Sequence, residues 1–354
     1  MSVGLEQSLI ERNLTVKQAM RRMSELGQKE LFIAEDLKLL GSLSDGDIRK
    51  WILAGGELDQ MVFEVCNKSP RYVGEDYTKE AVKTIMLELL IESVPVVGID
   101  GNIKEILTWD GIFAGKALKH KGKLDLKVVV MAGGKGTRLD PFTKILPKPL
   151  IPIGEKPIIE IILDKFGEYG IAEFFISINH KSKMIKSYFE ENNGKYSINY
   201  IEEDKPLGTA GSLKLLEGRV QGPLLITNCD TIIESDYAEM LKFHQENRHD
   251  LTLVVSCRHY VIPFGVCRVE SGGLLKDMIE KPEYDFLVNT GMYLMNDPLL
   301  KLIPQGEFFN ITDLIARAQA AGKRIGVFPI NESAWIDIGN WEEYRKAVEK
   351  MRID

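Results

Sequence analysis

The sequence predicts an α/β chain in which a mixed, mostly parallel sheet with covering helices follows a smaller α+β unit. Three observations predict it. From Lys127 onward, short apolar runs alternate with amphipathic stretches, the order that a parallel sheet with crossover helices requires. The first of those runs empties into a turn reading Ala132-Gly133-Gly134-Lys135-Gly136-Thr137-Arg138, where doubly wound sheets receive their ligands. Before residue 120, one succession of helix, strand, strand and helix occurs twice.

In that first unit the helical stretches Thr15–Leu26 and Lys79–Leu90 each precede a short apolar strand, Leu31–Ala34 and Ser93–Val97. A turn and a second strand follow each time, then a polar turn that opens another helix. Laying the stretch that begins at Leu39 against the one that begins at Ile103 places Ser44 on Thr108 and Ile48 on Ile112. The repeat resembles a tandem pair of cystathionine β-synthase-type (CBS) domains, expected to span residues 1–120. That resemblance implies an adenine nucleotide between the repeats, with a hydroxyl and an aspartate three residues later framing the ribose. Ser44 and Asp47 match the pattern. The second repeat keeps Thr108 but has Gly111 in place of the aspartate, and Glu105 stands where the first has Gly41, so one site is expected. A helix cap is the other reading of Ser44 and Asp47.

Residues 114–127 are basic, glycine-containing and unpatterned, which reads as a linker with its boundary at 121–126. The second unit, 127–354, then offers strands at Lys127–Met131, Glu173–Ile178, Ser197–Ile201, Gly222–Asn228, Asp250–Ser256 and Arg324–Pro329. Helices are expected at Ile158–Tyr169, Lys181–Glu191, Thr209–Leu216, Ser235–Gln245, Ile311–Ala321 and Trp341–Arg352.

Composition narrows the function. With 354 residues and 44% hydrophobic content the chain can build two domains with sizeable cores. A net charge of −7 argues against a protein that coats nucleic acid, so anionic substrates must be met by a few placed cations. Cys66, Cys229, Cys257 and Cys267 form no Cys-x-x-Cys pair, which indicates neither a zinc ribbon nor a disulfide framework. There is no apolar leader and no apolar run of membrane-spanning length, so a cytoplasmic protein without a membrane partner is expected.

The glycine turn is a phosphate cradle. Gly133, Gly134 and Gly136 let the backbone approach a ligand with free N–H groups, and Lys135 and Arg138 bring charge. A Walker loop is excluded because Gly136, not Ser or Thr, follows Lys135. A dinucleotide fingerprint is excluded because Leu139 stands where its third glycine belongs. What remains, with Pro141, Thr143 and then Pro147-Lys148-Pro149-Leu150, resembles the signature of the sugar-1-phosphate nucleotidyltransferases, the enzymes that make nucleotide sugars. Their Rossmann-like nucleotide-diphospho-sugar transferase fold is therefore the expected architecture. No hexapeptide repeat follows residue 330, so the acyltransferase tail of some relatives is not expected.

Two aspartates are candidate metal ligands. Asp230 ends the apolar run from Leu224, where a carboxylate emerges at the edge of a sheet. Asp337 lies between Ile336 and Ile338, and burying it unpaired would be costly. The resemblance makes both of them ligands of Mg²⁺, with Mn²⁺ as an alternative. Cys229 replaces the glycine usual before the first aspartate and reads as packing. The resemblance further assigns Ala132, Gly133, Gly134, Gly136, Thr137, Gly208 and Thr209 to the nucleotide, the last two following Glu202 and Glu203. It assigns Gly265, Glu280, Asn289 and Thr290 to the sugar. Arg138, Lys148 and Lys281 are its cations on the pyrophosphate, the phosphates and the sugar phosphate.

The expected reaction is transfer of a nucleoside monophosphate from a triphosphate to a hexose or hexosamine 1-phosphate. Guanylyl transfer is favoured, because the two-part organisation resembles bacterial enzymes of surface-glycan and nonulosonic-acid synthesis. UTP, dTTP and CTP remain open, as does an adenine-nucleotide-sensing regulatory protein with a weak transferase domain. A homo-oligomer is expected, since paired CBS domains commonly associate.

Overall fold

The computed structural model describes residues 5–89, 91–113, 123–191 and 194–351. Most of the expected linker, 114–122, lies outside the described residues. Two compact units divide the chain, one holding residues up to Lys123 with Glu168–Gly170, the other holding Leu124–Gly167 and Ile171 onward. Among the described residues no helix is long and apolar enough to cross a membrane.

The first unit contains α1 (Val16–Leu26), β1 (Glu30–Glu35), β2 (Lys38–Ser44) and α2 (Asp45–Leu53). The same order returns as α3 (Lys79–Leu89), β3 (Ser93–Val97), β4 (Ile103–Thr108) and α4 (Trp109–Phe113). Both hairpins are antiparallel, and Glu30↔Ser44 in one corresponds to Ser93↔Thr108 in the other. Thr15 lies outside α1 because its hydroxyl caps the Gln18 N–H in a capping box. Val16, Ala19 and Met23 on one face of α1 pack with Leu31, Ile33 and Leu43 of the first hairpin. The second repeat closes over Val82, Met86, Val94 and Val96.

The second unit is built on seven strands: β5 (Lys127–Met131), β6 (Glu173–Ile178), β7 (Ser197–Glu202), β8 (Pro223–Asn228), β10 (Leu251–Val261), β13 (Glu283–Asn296) and β14 (Ile325–Ile330). They lie in the order β7-β6-β5-β8-β13-β10-β14. Only β13 runs against its neighbours, β8 and β10; the remaining pairs are parallel, so the sheet is mixed and mostly parallel. Val128, Val129 and Val130 are wholly buried, because β5 is covered on both faces. One face packs Val129, Ile226 and Met295 against Leu213, Leu299 and helix α8 (Ile311–Ala320). On the other, Phe166 of helix α5 (Ile158–Gly167) lies against Phe174 of β6 and stacks on Tyr237 at 4.7 Å.

Four departures from expectation have local causes. Strand β13 was not anticipated: its polar Asn289-Thr290-Gly291 segment breaks the apolar run and obscures a central strand. The register of β10 on β13 skips from Met292 to Asn289 there, so Thr290 and Gly291 form a bulge. The helix expected from Thr209 starts at Gly211 and is a 3₁₀ turn, because Ala210 and Gly211 both donate their N–H to the Phe309 carbonyl. Lys181 has φ 53° and cannot begin helix α6 (Ser182–Glu191). Asp236 caps helix α7 (Tyr237–Glu246), which delays that helix past Ser235.

Candidate active site

The glycine turn leaves β5 at the carboxyl edge of the sheet and is pinned where it starts. Ala132 is buried and donates its N–H to the Ser177 carbonyl, so it belongs to the sheet and does not line the cleft. At Gly133 a Cβ would stand 2.7 Å from a Glu203 carboxylate oxygen. Gly136 has φ 68°, and a Cβ there would meet the Lys148 Cβ at 2.9 Å and the Thr143 methyl at 3.0 Å. Only glycine allows this packing of turn on lysine. The turn continues into a 3₁₀ turn, Thr137–Leu139, that buries Leu139 and leaves Arg138 exposed.

A cleft of about 430 Å³ opens over the turn. Gly133, Gly134, Gly136, Thr137, Arg138, Lys148, Gly208, Thr209 and Asp230 line it, so most of the residues predicted for nucleotide and phosphate come together. Gly208 has φ 80° and passes so close to the Phe309 carbonyl that a Cβ would lie 2.7 Å from its oxygen. The Thr209 hydroxyl accepts the Ile311 N–H at 2.9 Å, which ties the loop to the start of α8.

The two predicted metal ligands also meet. Asp230 follows β8, and the next strand, β9 (Thr231–Ile233), pairs with β15 (Trp335–Asp337) so that Thr231 stands opposite Asp337. The Ile338 N–H closes onto the Asp230 carbonyl at 2.9 Å. The buried Lys148 ammonium bonds the Asp230 carboxylate. Burial, and then the nearby negative charge of Asp230, push the Asp337 carboxyl above the usual carboxylate range; Lys148, Arg138 and the Gly339 N–H pull it back. Two carboxylates that repel each other in a partly buried place, with oxygen donors only, fit a hard divalent cation. Among the described residues no group of three or more His, Cys, Asp and Glu could hold a metal, so oxygens from water or substrate would complete such a site.

The predicted sugar residues divide. Asn289 and Thr290 sit at the β13 bulge beside the cleft floor: the Thr231 hydroxyl donates to the Thr290 carbonyl, and a Cβ at Gly291 would lie 2.4 Å from the Asn228 amide nitrogen. The Thr290 hydroxyl donates to the Val254 carbonyl and the Asn289 amide to the Tyr293 hydroxyl. Gly265, Glu280 and Lys281 lie in the short loops that flank a separate two-stranded hairpin, β11 (Val266–Val269) with β12 (Leu275–Ile279), outside the seven-stranded sheet, and do not line the cleft. Gly265 and Glu280 are together there, since a Cβ at 265 would stand 3.0 Å from the Glu280 carboxylate.

Sequence reasoning gave no role to Glu203, Ser177 or Phe308. Glu203 is buried on the cleft wall, one oxygen accepting the Ser177 hydroxyl and the other the Leu207 N–H at 3.1 Å. Phe308 lines the same wall and is 64% exposed, an open aromatic face. Only the pair Glu202-Glu203 ahead of the glycine loop marked this wall in the sequence. Cys229 is buried and its thiol is pushed up to about 12, mainly by that burial, so it packs and does not react.

In the first unit Ser44 and Asp47 are spent on each other. The Asp47 N–H donates to the Ser44 hydroxyl at 3.2 Å, and the Ser44 N–H and hydroxyl donate to the Asp47 carboxylate at 3.0 and 2.7 Å. This is a capping box at the start of α2.

The nucleotidyl transferase family model matches residues 127–353. The chain belongs to that family. A mannose-1-phosphate guanyltransferase of Hypocrea jecorina is 30% identical over 229 residues, 62% of this chain and 62% of that protein. The UTP–glucose-1-phosphate uridylyltransferase of Synechocystis is 28% identical over 244 residues, 63% of this chain and 62% of that protein. The chain thus matches less than two-thirds of these relatives' own lengths. The crystal structure of HddC from Yersinia pseudotuberculosis complexed with GMP-PN superposes with a TM-score of 0.51 at 25% identity, covering 64% of this chain and 99% of that one. The nucleotidyl transferase chain therefore has the α/β fold of its family in its second unit.

Proposed function

We propose that this nucleotidyl transferase joins a nucleoside monophosphate, GMP by preference, to a hexose or hexosamine 1-phosphate. The observation that carries the reading is the meeting of Arg138, Lys148, Asp230 and Asp337 at the foot of a glycine turn, in a chain of this family. An oxygen of the sugar 1-phosphate attacks the α-phosphorus of the triphosphate; the new P–O bond forms as the bond to the β-phosphate oxygen breaks. The nucleophile is already an anion, so no general base is required. The obstacle is the approach of two polyanions, and positioning with fixed positive charge removes it. Backbone N–H groups at Gly133, Gly134 and Gly136 cradle the phosphates, Lys148 meets the α-phosphate, and Arg138 holds the departing pyrophosphate. Asp230 and Asp337 would hold Mg²⁺ or Mn²⁺, which would supply positive charge to phosphate oxygens. Glu280, Asn289, Thr290 and Lys281 receive the sugar phosphate, with Gly265 giving the ring room.

The base preference has support in Glu203. A buried carboxylate accepts, and guanine offers two adjacent donors on its Watson–Crick edge. Uracil and thymine offer one donor between two carbonyls, which a carboxylate repels. Phe308 supplies a stacking face. The guanyltransferase relative agrees, while the uridylyltransferase keeps UTP as the competing substrate. A bacterial surface-glycan or nonulosonic-acid destination rests on the two-part organisation alone. The decisive experiment incubates the chain with Mg²⁺, each nucleoside triphosphate and a panel of sugar 1-phosphates and measures pyrophosphate. Release with GTP and one sugar phosphate is expected; no release with any pair overturns the proposal.

A further inference from the structure

The residues that lead from Arg138 towards Lys148 leave the sheet and run mostly exposed as far as Ile145, yet they are held at a backbone carbonyl. The Asp140 N–H closes the 3₁₀ turn onto the Thr137 carbonyl at 3.2 Å. The carbonyl of Asp140 accepts the indole N–H of Trp341 at 2.8 Å, across 201 positions of the sequence. Trp341 opens helix α9 (Trp341–Met351), so this one residue joins the glycine turn to α9. An aromatic cluster fixes the bond in place. Phe142 meets the Trp341 ring edge-on at 4.8 Å between centroids and the Tyr344 ring at 6.2 Å, and those two rings lie 5.7 Å apart. Phe142 remains 39% exposed, so burial alone does not set its ring. The Tyr344 hydroxyl donates to the Pro152 carbonyl at 2.9 Å, so α9 holds the segment on both sides of Lys148. The other end of this clamp is the carboxylate pair. Asp337 ends β15, and Ile338, Gly339 and Asn340 alone separate it from Trp341. The Ile338 N–H closes onto the Asp230 carbonyl, and the Asn340 side chain accepts the Glu342 and Glu343 N–H groups at 3.0 and 3.1 Å. Little chain is left free between the carboxylate and the indole.

We propose, resting on the reaction given above, that Trp341 is a positioning residue: through the Asp140 carbonyl it holds the turn that carries Arg138 at a fixed place relative to Asp337. Both groups must serve one triphosphate. A turn with glycines at 133, 134 and 136 has no stiffness of its own to keep them in register. The sheet pins that turn where it starts, at Ala132, and Lys148 packs under Gly136; beyond Arg138 the tie is the indole. Trp341 does not line the cleft, so it acts through the turn and not on the substrate. Misplacement of a reacting group by about 1 Å can cost 100-fold in rate, which is what one lost hydrogen bond at Asp140 puts at stake.

The test is pyrophosphate release by the full chain, with the triphosphate and sugar 1-phosphate that the wild type turns over. Trp341→Phe keeps a ring against Phe142 and removes the donor to Asp140. Its kcat should fall by about 10- to 100-fold, while the KM for the sugar 1-phosphate stays within about twofold of wild type. In the Arg138→Ala background the same substitution should cost less than about twofold, because effects routed through one residue do not add. An indole that served the fold alone would lower the melting temperature and leave the kcat of the folded protein unchanged. Should Trp341→Phe misfold, Phe142→Ala, which takes away the ring the indole rests on, should lose kcat in the same way and likewise add nothing to Arg138→Ala. A folded variant with wild-type kcat, or a full further loss on top of Arg138→Ala, overturns the positioning role and leaves the reaction standing. A wild type that releases no pyrophosphate with any pair overturns the reaction itself, and the positioning role with it.

Discussion

Lys148 and Asp230 lie 82 positions apart in the sequence, yet the ammonium of one is bonded to the carboxylate of the other inside the protein. The pair also stands beside Asp337, whose carboxyl is raised by burial and then by the charge of Asp230, and lowered by that of Lys148. Removing the lysine therefore leaves two carboxylates facing each other without its ammonium, while Arg138 and the Gly339 N–H remain to offset them. Breaking a buried pair on one side costs about 3–5 kcal/mol. Lys148→Met should accordingly lower the melting temperature by about 10 °C, while Lys148→Met/Asp230→Asn should recover most of the loss. Differential scanning calorimetry of the three proteins decides it. A double variant that melts no higher than the single one would show that the pair is not what stabilises this region.

Activity separates from stability at the neighbouring positions. Arg138 is exposed on its 3₁₀ turn, so Arg138→Ala should fold normally and lose at least ~100-fold in kcat, as loss of a transition-state charge partner typically does. Asp230→Asn should lose as much. Pyrophosphate release near the wild-type rate from either purified variant removes that residue from the proposed machinery.

Glu203→Gln tests the base. The amide keeps the size of the side chain and still accepts the Leu207 N–H or the Ser177 hydroxyl, but it turns one acceptor into a donor. The ratio of kcat/KM for GTP over UTP should fall by about 100-fold or more, since leaving polar groups unpaired in a base site discriminates strongly. A ratio that does not move would take base selection away from Glu203 while leaving the reaction itself untouched.

How much of this was legible beforehand follows from what each feature depends on. The glycine turn and its lysine were readable because their spacing is local, and the strand-end position of Asp230 because an apolar run points to it. The carboxylate pair needed more, since Thr231 and Asp337 meet only through an antiparallel pairing across more than a hundred residues. Strand β13 escaped because its bulge at Thr290 and Gly291 interrupts the pattern that betrays a central strand. Glu203 was visible as an acidic residue and mute as to role. Its bonds to Ser177 and Leu207, with its closeness to the Gly133 backbone, put it on the cleft wall.

Ser44 and Asp47 can be resolved by a stability measurement paired with a binding one. As a capping box they hold the first turn of α2, and Asp47→Ala should cost about 0.5–2 kcal/mol. Asp47→Asn, which still accepts the Ser44 N–H, should cost less. If the pair serves the cap alone, calorimetric titration of the full chain with AMP or ATP should give the same heats for wild type and Asp47→Asn. Heats assignable to one site per chain that vanish in Asp47→Asn would instead favour the adenine-nucleotide reading.

The acid limb of stability should carry the mark of His244 and His249. His244 is buried between the Thr252 hydroxyl and the Asn296 side-chain oxygen, and burial lowers its pKa below the ordinary histidine value. His249 is lowered by burial as well, and then by the positive charges of His244 and Arg324. As pH falls through about 6.5 the unfolded chain takes up these protons before the native one does. Stability is then complete above that pH and declines below it, until the native rings titrate in turn. Carboxyl groups with raised values, such as Asp337 and the half-buried Glu30, act with the opposite sign at lower pH, so the comparison belongs between pH 8 and 5.5. Over that range the wild-type melting temperature should fall by several degrees. His244→Gln should melt lower at pH 8, because a buried hydrogen-bonded group is disturbed, yet lose less on acidification. Parallel curves for the two proteins would mean that His244 keeps an ordinary proton affinity in the fold, and that its burial between Thr252 and Asn296 does not exclude the charged ring.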